Sequence, residues 1–333
     1  MKHAKKNPIA QTVGRTFAVI GVTLLGILVA LLGAIAVVCH GPSGRARDLF
    51  VTTVMETSAL KFLAQMHFSD EEIAAIRQRN AVIETDMQTD DTVLTPVAPD
   101  PETPALVIED VVGATYKGKM MIVKDPTRLF IGTPGPYDGR PGQTLDNLVK
   151  NNNAIAGINA GGFEDENGFG NGGTPIGIVI SGGKLVFGSP SKSSTVIGFD
   201  GNGKLIVGNM TAQTALDKGI REAVSFGPVL LVNGEAAPVA GTGGGLNPRT
   251  AIGQRADGAV LMLVIDGRQS HSLGASYKDC QQVMQQYGAI NAANLDGGSS
   301  TLMIYEGEHV NYCASLYGSR DLPTSFLVRR EAE

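Results

Sequence analysis

The sequence predicts an α+β protein: a mixed, hairpin-rich β-sheet domain flanked by helices, preceded by one transmembrane helix and a helical stalk. Three observations lead there. An uncharged apolar run fills residues 16–38, helix-period patterns with a cap signal occupy residues 39–84, and beyond residue 105 short β-branched runs alternate with Gly- and Asn/Asp-rich turns.

The apolar run, TFAVIGVTLLGILVALLGAIAVV from Thr16 to Val38, forms a helix of roughly 35 Å at about 1.5 Å per residue. That is long enough for a hydrocarbon core about 30 Å thick. Lys2, Lys5, Lys6 and Arg15 precede it and only Arg45 and Arg47 follow closely, so the positive-inside bias places residues 1–15 in the cytoplasm and the remainder outside a cell membrane crossed once. A cleaved signal peptide competes, because Ala34-Ile35-Ala36 resembles a cleavage site. The run is longer than an h-region of about 7–15 residues, so a retained anchor is the expectation. Cys39 lacks the small preceding residue that would mark a lipid-modified cysteine.

Residues 39–84 carry Leu49, Phe50, Val54, Leu60, Phe62 and Leu63 in a loose helical pattern; then Ser69, with Glu72 three positions on, forms a capping box before Ile73 and Ile76. Such a stalk serves either self-association or spacing from the membrane. Residues 85–104, TDMQTDDTVLTPVAPDPETP, are Pro-, Asp- and Thr-rich and read as an extended linker. The main domain, 105–333, opens with ALVIEDVV and GKMMIVK and then shows turn chemistry at Ser181 (SGGK), Asp200 (DGNG), Asn233 (NGE), Ala256 (ADG) and Glu306 (EGE). Helical patterns are expected at Leu145–Lys150, Ala212–Lys218 and Ser276–Tyr287, and no fixed-period repeat is present.

Composition narrows the function classes. Among 333 residues, 43% are hydrophobic and 43 are glycine, with no tryptophan, which suits a turn-rich globular protein. The net charge of -5 and the lack of a basic stripe exclude the electrostatic footprint of a nucleic-acid partner. Cys280 and Cys313 are too few for a disulfide framework, and a single bridge between them stays open.

Four polar, glycine-containing segments end apolar runs: NAGGF (Asn159–Phe163), PRTAIG (Pro248–Gly253), VIDGRQ (Val264–Gln269) and NLDGGSST (Asn294–Thr301). The last delivers Asp296, then removes side-chain bulk at Gly297 and Gly298 and adds the hydroxyls of Ser299, Ser300 and Thr301, a turn able to cradle an anion. Alone, a strand followed by DGG is more often a plain tight turn. No GxSxG elbow is present, and His271 has no His or Cys partner at metal-ligand spacing.

Taken together and in this order, the four segments resemble the phosphodiester glycosidase family over roughly residues 105–330, including the helix ASYKDCQQVMQQYGA and the hairpin TLMIYEGEHVN. Ser299 stands where family motifs often carry a third glycine. The resemblance implies hydrolysis of a sugar joined through its anomeric oxygen to phosphate, hence a phosphate-containing glycan in the envelope or outside the cell. Asp296 and Asp266 are then the catalytic carboxylates. Arg249 is the phosphate-binding fork, with a surface ion pair as its plainer reading. Asn159, Gly161 and Gly162 would form one wall, Gly297, Gly298, Ser299, Ser300 and Thr301 another, with Arg268 and Gln269 at the rim and Phe163 against a sugar face or in the core. No cofactor is expected. The run Glu164, Asp165, Glu166, Asn167 would suit a divalent cation, though a solvated acidic loop suits it better. The competing function is a non-catalytic glycopolymer-binding or exopolysaccharide assembly factor on the same scaffold.

Overall fold

The computed structural model describes residues 8–83, 86–90, 94, 104–165, 170–315 and 318–331. Its first element, α1 (Pro8–His40), is the one helix among the described residues long and apolar enough to cross a membrane. Its side chains project outward, Phe17 at 71% and Leu24 at 61% exposure, so no protein core accounts for its apolar character. Three short helices follow. α2 (Gly44–Met55) starts at Ser43, whose side chain accepts from the Ala46 amide, α3 spans Lys61–Gln65, and α4 (Asp70–Gln78) begins at the reciprocal Ser69–Glu72 capping box. Val51, Val54, Ala64, Ile73 and Ile76 close a small core among them.

The strands form three sheets, and every pairing between them is antiparallel. Numbered in chain order, the seven-stranded sheet runs β1 (Leu106–Val112), β2 (Lys117–Val123), β13 (Val260–Ile265), β12 (Arg249–Arg255), β14 (Ala289–Leu295), β10 (Val229–Val232), β11 (Glu235–Ala236). A second sheet runs β16 (Glu308–His309), β15 (Met303–Tyr305), β4 (Ala154–Asn159), β17 (Ser325–Arg329), β3 (Leu129–Gly132). The third runs β6 (Lys184–Phe187), β5 (Val179–Ser181), β9 (Ile220–Ser225), β7 (Ser193–Asp200), β8 (Leu205–Thr211). All five turn signals of the sequence join adjacent strands: β5–β6, β7–β8, β10–β11, β12–β13 and β15–β16.

One core lies among the three sheets, built from inward residues such as Ile158, Ile197, Phe199, Met262, Leu295 and Phe326. Each outer face is then covered by one helix. α7 (Tyr277–Gln286) brings Cys280, Val283 and Met284 onto the seven-stranded sheet. α5 (Leu145–Asn151) brings Leu145, Leu148 and Val149 onto the second, and α6 (Ala212–Asp217) brings Ala212 and Ala215 onto the third. This is the layered arrangement in which each sheet face finds an apolar partner.

The expected stalk does not stand away from the domain. Thr53 accepts from the Leu246 amide, Asn80 from the Thr242 amide, and Val82 bridges to Val239. Close approach is possible because Gly245 has no side chain: a Cβ there would lie 2.5 Å from Thr53 Cα. The described part of the expected linker also packs down, since Thr89 exchanges hydrogen bonds with Val207 of β8 and Leu94 is buried. The rest of that segment lies outside the described residues. Cys280 and Cys313 are unbridged, and Cys39 is a free thiol too.

Candidate active site

Antiparallel pairing brings distant segments to one sheet edge. Arg249 begins β12 and Asp296 follows the end of β14, its direct neighbour, while β13 ends beside Arg249 and leads into residues 266–269. β4 ends at Asn159, and the next residue, Ala160, accepts the Asp296 amide at 2.9 Å. A cavity of about 790 Å³ opens here, lined by Asp296, Gly297, Gly298, Ser299, Ser300, Arg249, Arg268, Asn247 and Asn294 among others.

Asp296 is the centre of this arrangement. Its Oδ1 accepts from the Gly297 amide at 3.0 Å, while Oδ2 is buried and has no hydrogen-bond partner among the described residues. Burial raises its carboxyl from 3.8 to about 6, against the opposing effect of the nearby Ser300 hydroxyl and of the Gly297 amide. Two residues earlier on the same strand face, Asn294 Nδ2 donates to the Gly227 and Leu295 carbonyls, which fixes its amide with Oδ1 buried and, among the described residues, unpartnered. Asn294 and Asp296 both line the cavity, and each keeps one buried acceptor without a partner among the described residues.

The turn beyond Asp296 needs its glycines. A Cβ on Gly297 would stand 2.8 Å from the Pro248 carbonyl oxygen, and Gly298 has φ +62°. The Arg268 guanidinium lies over Gly298, about van der Waals distance from where a Cβ would stand, and Arg268 itself sits in the left-handed region at φ 57°. Backbone strain of this kind gathers at functional sites. Arg268 donates to Asn247 Oδ1 and to the Glu56 carbonyl.

Arg249 is buried and heavily engaged. Its Nε donates to the Ala275 carbonyl at 3.0 Å, its Nη2 to the Gly245 carbonyl and to Glu56 Oε2 at 2.8 Å each, and its guanidinium stacks 3.9 Å from the Tyr277 ring centroid. Across the cavity Arg320 pairs bidentately with Asp165, at 2.8 and 3.1 Å, over the face of Phe163.

A sequence profile of the phosphodiester glycosidase family matches residues 152–329. The chain belongs to the phosphodiester glycosidase family. It is 30% identical over 198 residues to the SPbeta prophage-derived uncharacterized protein YomE of Bacillus subtilis, covering 56% of this chain and 29% of that one. It is 24% identical over 217 residues to bovine N-acetylglucosamine-1-phosphodiester alpha-N-acetylglucosaminidase, covering 59% of this chain and 40% of the enzyme. The chain thus spans well under two thirds of either relative. The catalytic domain of the zebrafish enzyme, solved in a form auto-inhibited by its pro-peptide, shares the fold with a TM-score of 0.59 at 21% identity, covering 71% of this chain and 87% of that one.

Within this family fold the structure sorts the residues singled out from sequence. Asp296, Gly297, Gly298, Ser299, Ser300, Arg249 and Arg268 line the cavity. Asp266 does not. Its oxygens are taken by His271 Nε2 at 3.1 Å, Asn311 Nδ2 and the Tyr312 amide at 3.0 Å each, so it ties two loops together behind the site. Asn159 is fully buried: it donates to the Asp296 carbonyl and accepts from Thr250 and Leu302, which makes it a strut under the turn. Gly161 and Gly162 leave room for Val224 and Phe226 rather than for a ligand. Thr301 is buried against Thr250, and Gln269 reaches the Cys313 carbonyl.

Glu56, Asn247, Tyr277, Asn294 and Arg320 also line the cavity and were not singled out from sequence. Asn294 lay inside the NLDGGSST segment, two residues before Asp296, and strand periodicity would have placed it on the same face. Nothing local marks Glu56 or Arg320. No group of three His, Cys, Asp or Glu side chains able to hold a metal stands together among the described residues. In the acidic run Asp165 is engaged by Arg320, and Glu166 and Asn167 lie outside the described residues.

Proposed function

We propose that this chain is an extracytoplasmic hydrolase of sugar-1-phosphodiester linkages in envelope or extracellular glycans, held at the cell membrane by residues 16–38. The observation that carries the reading is the Asp296 carboxylate, held by the Gly297 amide at the wall of a cavity that the Arg268 and Arg249 side chains also line. A phosphodiester presents an anion beside an electrophilic anomeric carbon. The guanidinium charges and the Ser299 and Ser300 hydroxyls suit the anion, and the Asp296 carboxylate suits the developing positive charge at carbon or the proton of an attacking water. A departing phosphate monoester is weakly basic, so one carboxylate suffices without a second acid. That fits a site in which Asp266 is committed elsewhere.

The test uses the full chain in nanodiscs with a chromogenic sugar-1-phosphodiester. Asp296→Asn should lower turnover by at least about 100-fold while leaving binding of a sugar phosphate nearly intact, the effect of losing a positioned charged group. A folded Asn variant with near-normal turnover removes Asp296 from catalysis. Saturable binding of the sugar phosphate by the parent chain without any turnover would favour the glycopolymer-binding factor instead.

A further inference from the structure

A second cavity, about 1050 Å³, adjoins the first and shares Glu56, Phe226 and Tyr277 with it. Its floor is the polar end of the third sheet, where Thr195 and Asn209 lie beside Ser194 and the buried Ser225, whose hydroxyls bond each other at 3.0 Å, and Ile176 and Phe226 supply apolar surface. Its opposite wall is α4 and the chain after it, including Arg77, Gln78 and Asp86. Thr195, Gln78 and Arg77 make no side-chain hydrogen bond within the protein among the described residues. Thus the docked helical segment encloses a trough that adjoins the cavity of Asp296.

The chemistry of this lining selects its occupant. Polar and apolar groups are interspersed, which disfavours an acyl chain. The charges nearly balance, Arg77 against Asp86 with Glu56 already paired to Arg249, which disfavours a polyanion. Hydroxyl and amide groups around an aromatic ring suit a neutral polyhydroxylated chain, and the volume of about 1050 Å³ lies just above the range of about 300–1,000 Å³ that holds one drug-sized ligand. We infer that this trough is an oligosaccharide subsite, taking several neutral sugar rings on one side of the bond cleaved at Asp296. The inference rests on the hydrolase reading above for which bond is cleaved, and on the trough alone for what is bound.

The absence of tryptophan provides a clean probe. Ile176 lines the trough and is 47% exposed, so Ile176→Trp places a single fluorophore there at little structural cost. In the full chain in nanodiscs, chitotetraose, maltotetraose and cellotetraose are titrated against their monosaccharides. At least one tetrasaccharide should shift the emission saturably, with affinity at least about tenfold above its monosaccharide. Adding Thr195→Tyr, which fills the trough and breaks no hydrogen bond of the described residues, should abolish the shift while leaving kcat/KM on a small chromogenic phosphodiester unchanged. No saturable shift with any tetrasaccharide, or a shift that Thr195→Tyr leaves intact, overturns the subsite. Binding that persists in a chain without turnover keeps the subsite and overturns the hydrolase reading, so the two failures are distinguishable.

Discussion

Burial holds Asp296 at about 6 in place of 3.8. Between those values the folded protein binds more protons than the unfolded chain, so stability falls as pH rises through this window and stays lower above it. The displacement from 3.8 to about 6 amounts to about 3 kcal/mol. Asp296→Asn should therefore melt higher than the parent at pH 8, with the advantage fading towards pH 4; equal melting temperatures at pH 8 would show that the ionised carboxylate is not destabilising. On the proposed reading the same residue sets an expected acid limb in kcat/KM near pH 6, because a carboxylate acting as base or nucleophile must be ionised. The two arginines should separate differently. Arg249 satisfies two carbonyls and Glu56 from a buried position, so Arg249→Lys should cost about 1–3 kcal/mol of stability. Arg268 leans on the glycine turn, and Arg268→Lys should lower kcat/KM by about 10- to 100-fold, the equivalent of losing a hydrogen bond to a charged group. Melting curves and steady-state kinetics on both variants decide this, and a reversed pattern would exchange their roles.

Among the elements, α2 matters most to the site because its C-cap, Glu56, reaches the cavity. Glu56 accepts from the Gly245 amide at 3.1 Å, from Asn247 Nδ2 at 2.8 Å and from Arg249. Glu56→Gln keeps the shape and loses the charge facing a buried guanidinium, so α2 should loosen. Amide hydrogen exchange across residues 44–55 should quicken by about tenfold, the equivalent of roughly 1.4 kcal/mol in local opening. Unchanged protection would mean that α2 is held by Gly245 packing and its small apolar core alone. This contact also shows what a sequence reading reaches. The capping box at Ser69, the five hairpin turns and α5, α6 and α7 were legible because each depends on residues within a few positions of one another. The partition into three sheets was not, since β12 lies between β13 and the far later β14, and such pairings carry no local mark. Of the site, the Asp296 turn and both arginines were legible as motif residues. Asp266 looked equivalent to Asp296 because both end apolar strands before glycine, and only the approach of Asn311, Tyr312 and His271 distinguishes them. Glu56 stands 193 positions from Arg249, with no pattern linking the two.

At the scale of the whole molecule, the distance between the apolar helix and the cavity is set by very few residues. α1 ends at His40, α2 begins at Gly44 and packs against the end of α1, and Glu56 follows the last residue of α2. α2 spans roughly 18 Å at about 1.5 Å per residue, so the site lies within about one short helix of the end of α1. On the proposed reading, with α1 in the bilayer, the cleft is held close to the membrane surface. A linkage fixed to a membrane-bound glycan then meets the site without diffusing in three dimensions, whereas a long tether would let the cleft wander. Inserting ten Gly/Ser residues after Gly41 adds a flexible reach of roughly 17 Å and leaves every contact of α2 with the domain in place. Turnover of a soluble chromogenic phosphodiester should stay the same. Turnover of the same group anchored to lipid in the same nanodisc should fall at least about threefold, because the effective concentration of the site at the surface drops as its tether lengthens. Equal turnover of the anchored substrate by both chains would show that proximity to the bilayer plays no part in how the cleft meets a substrate.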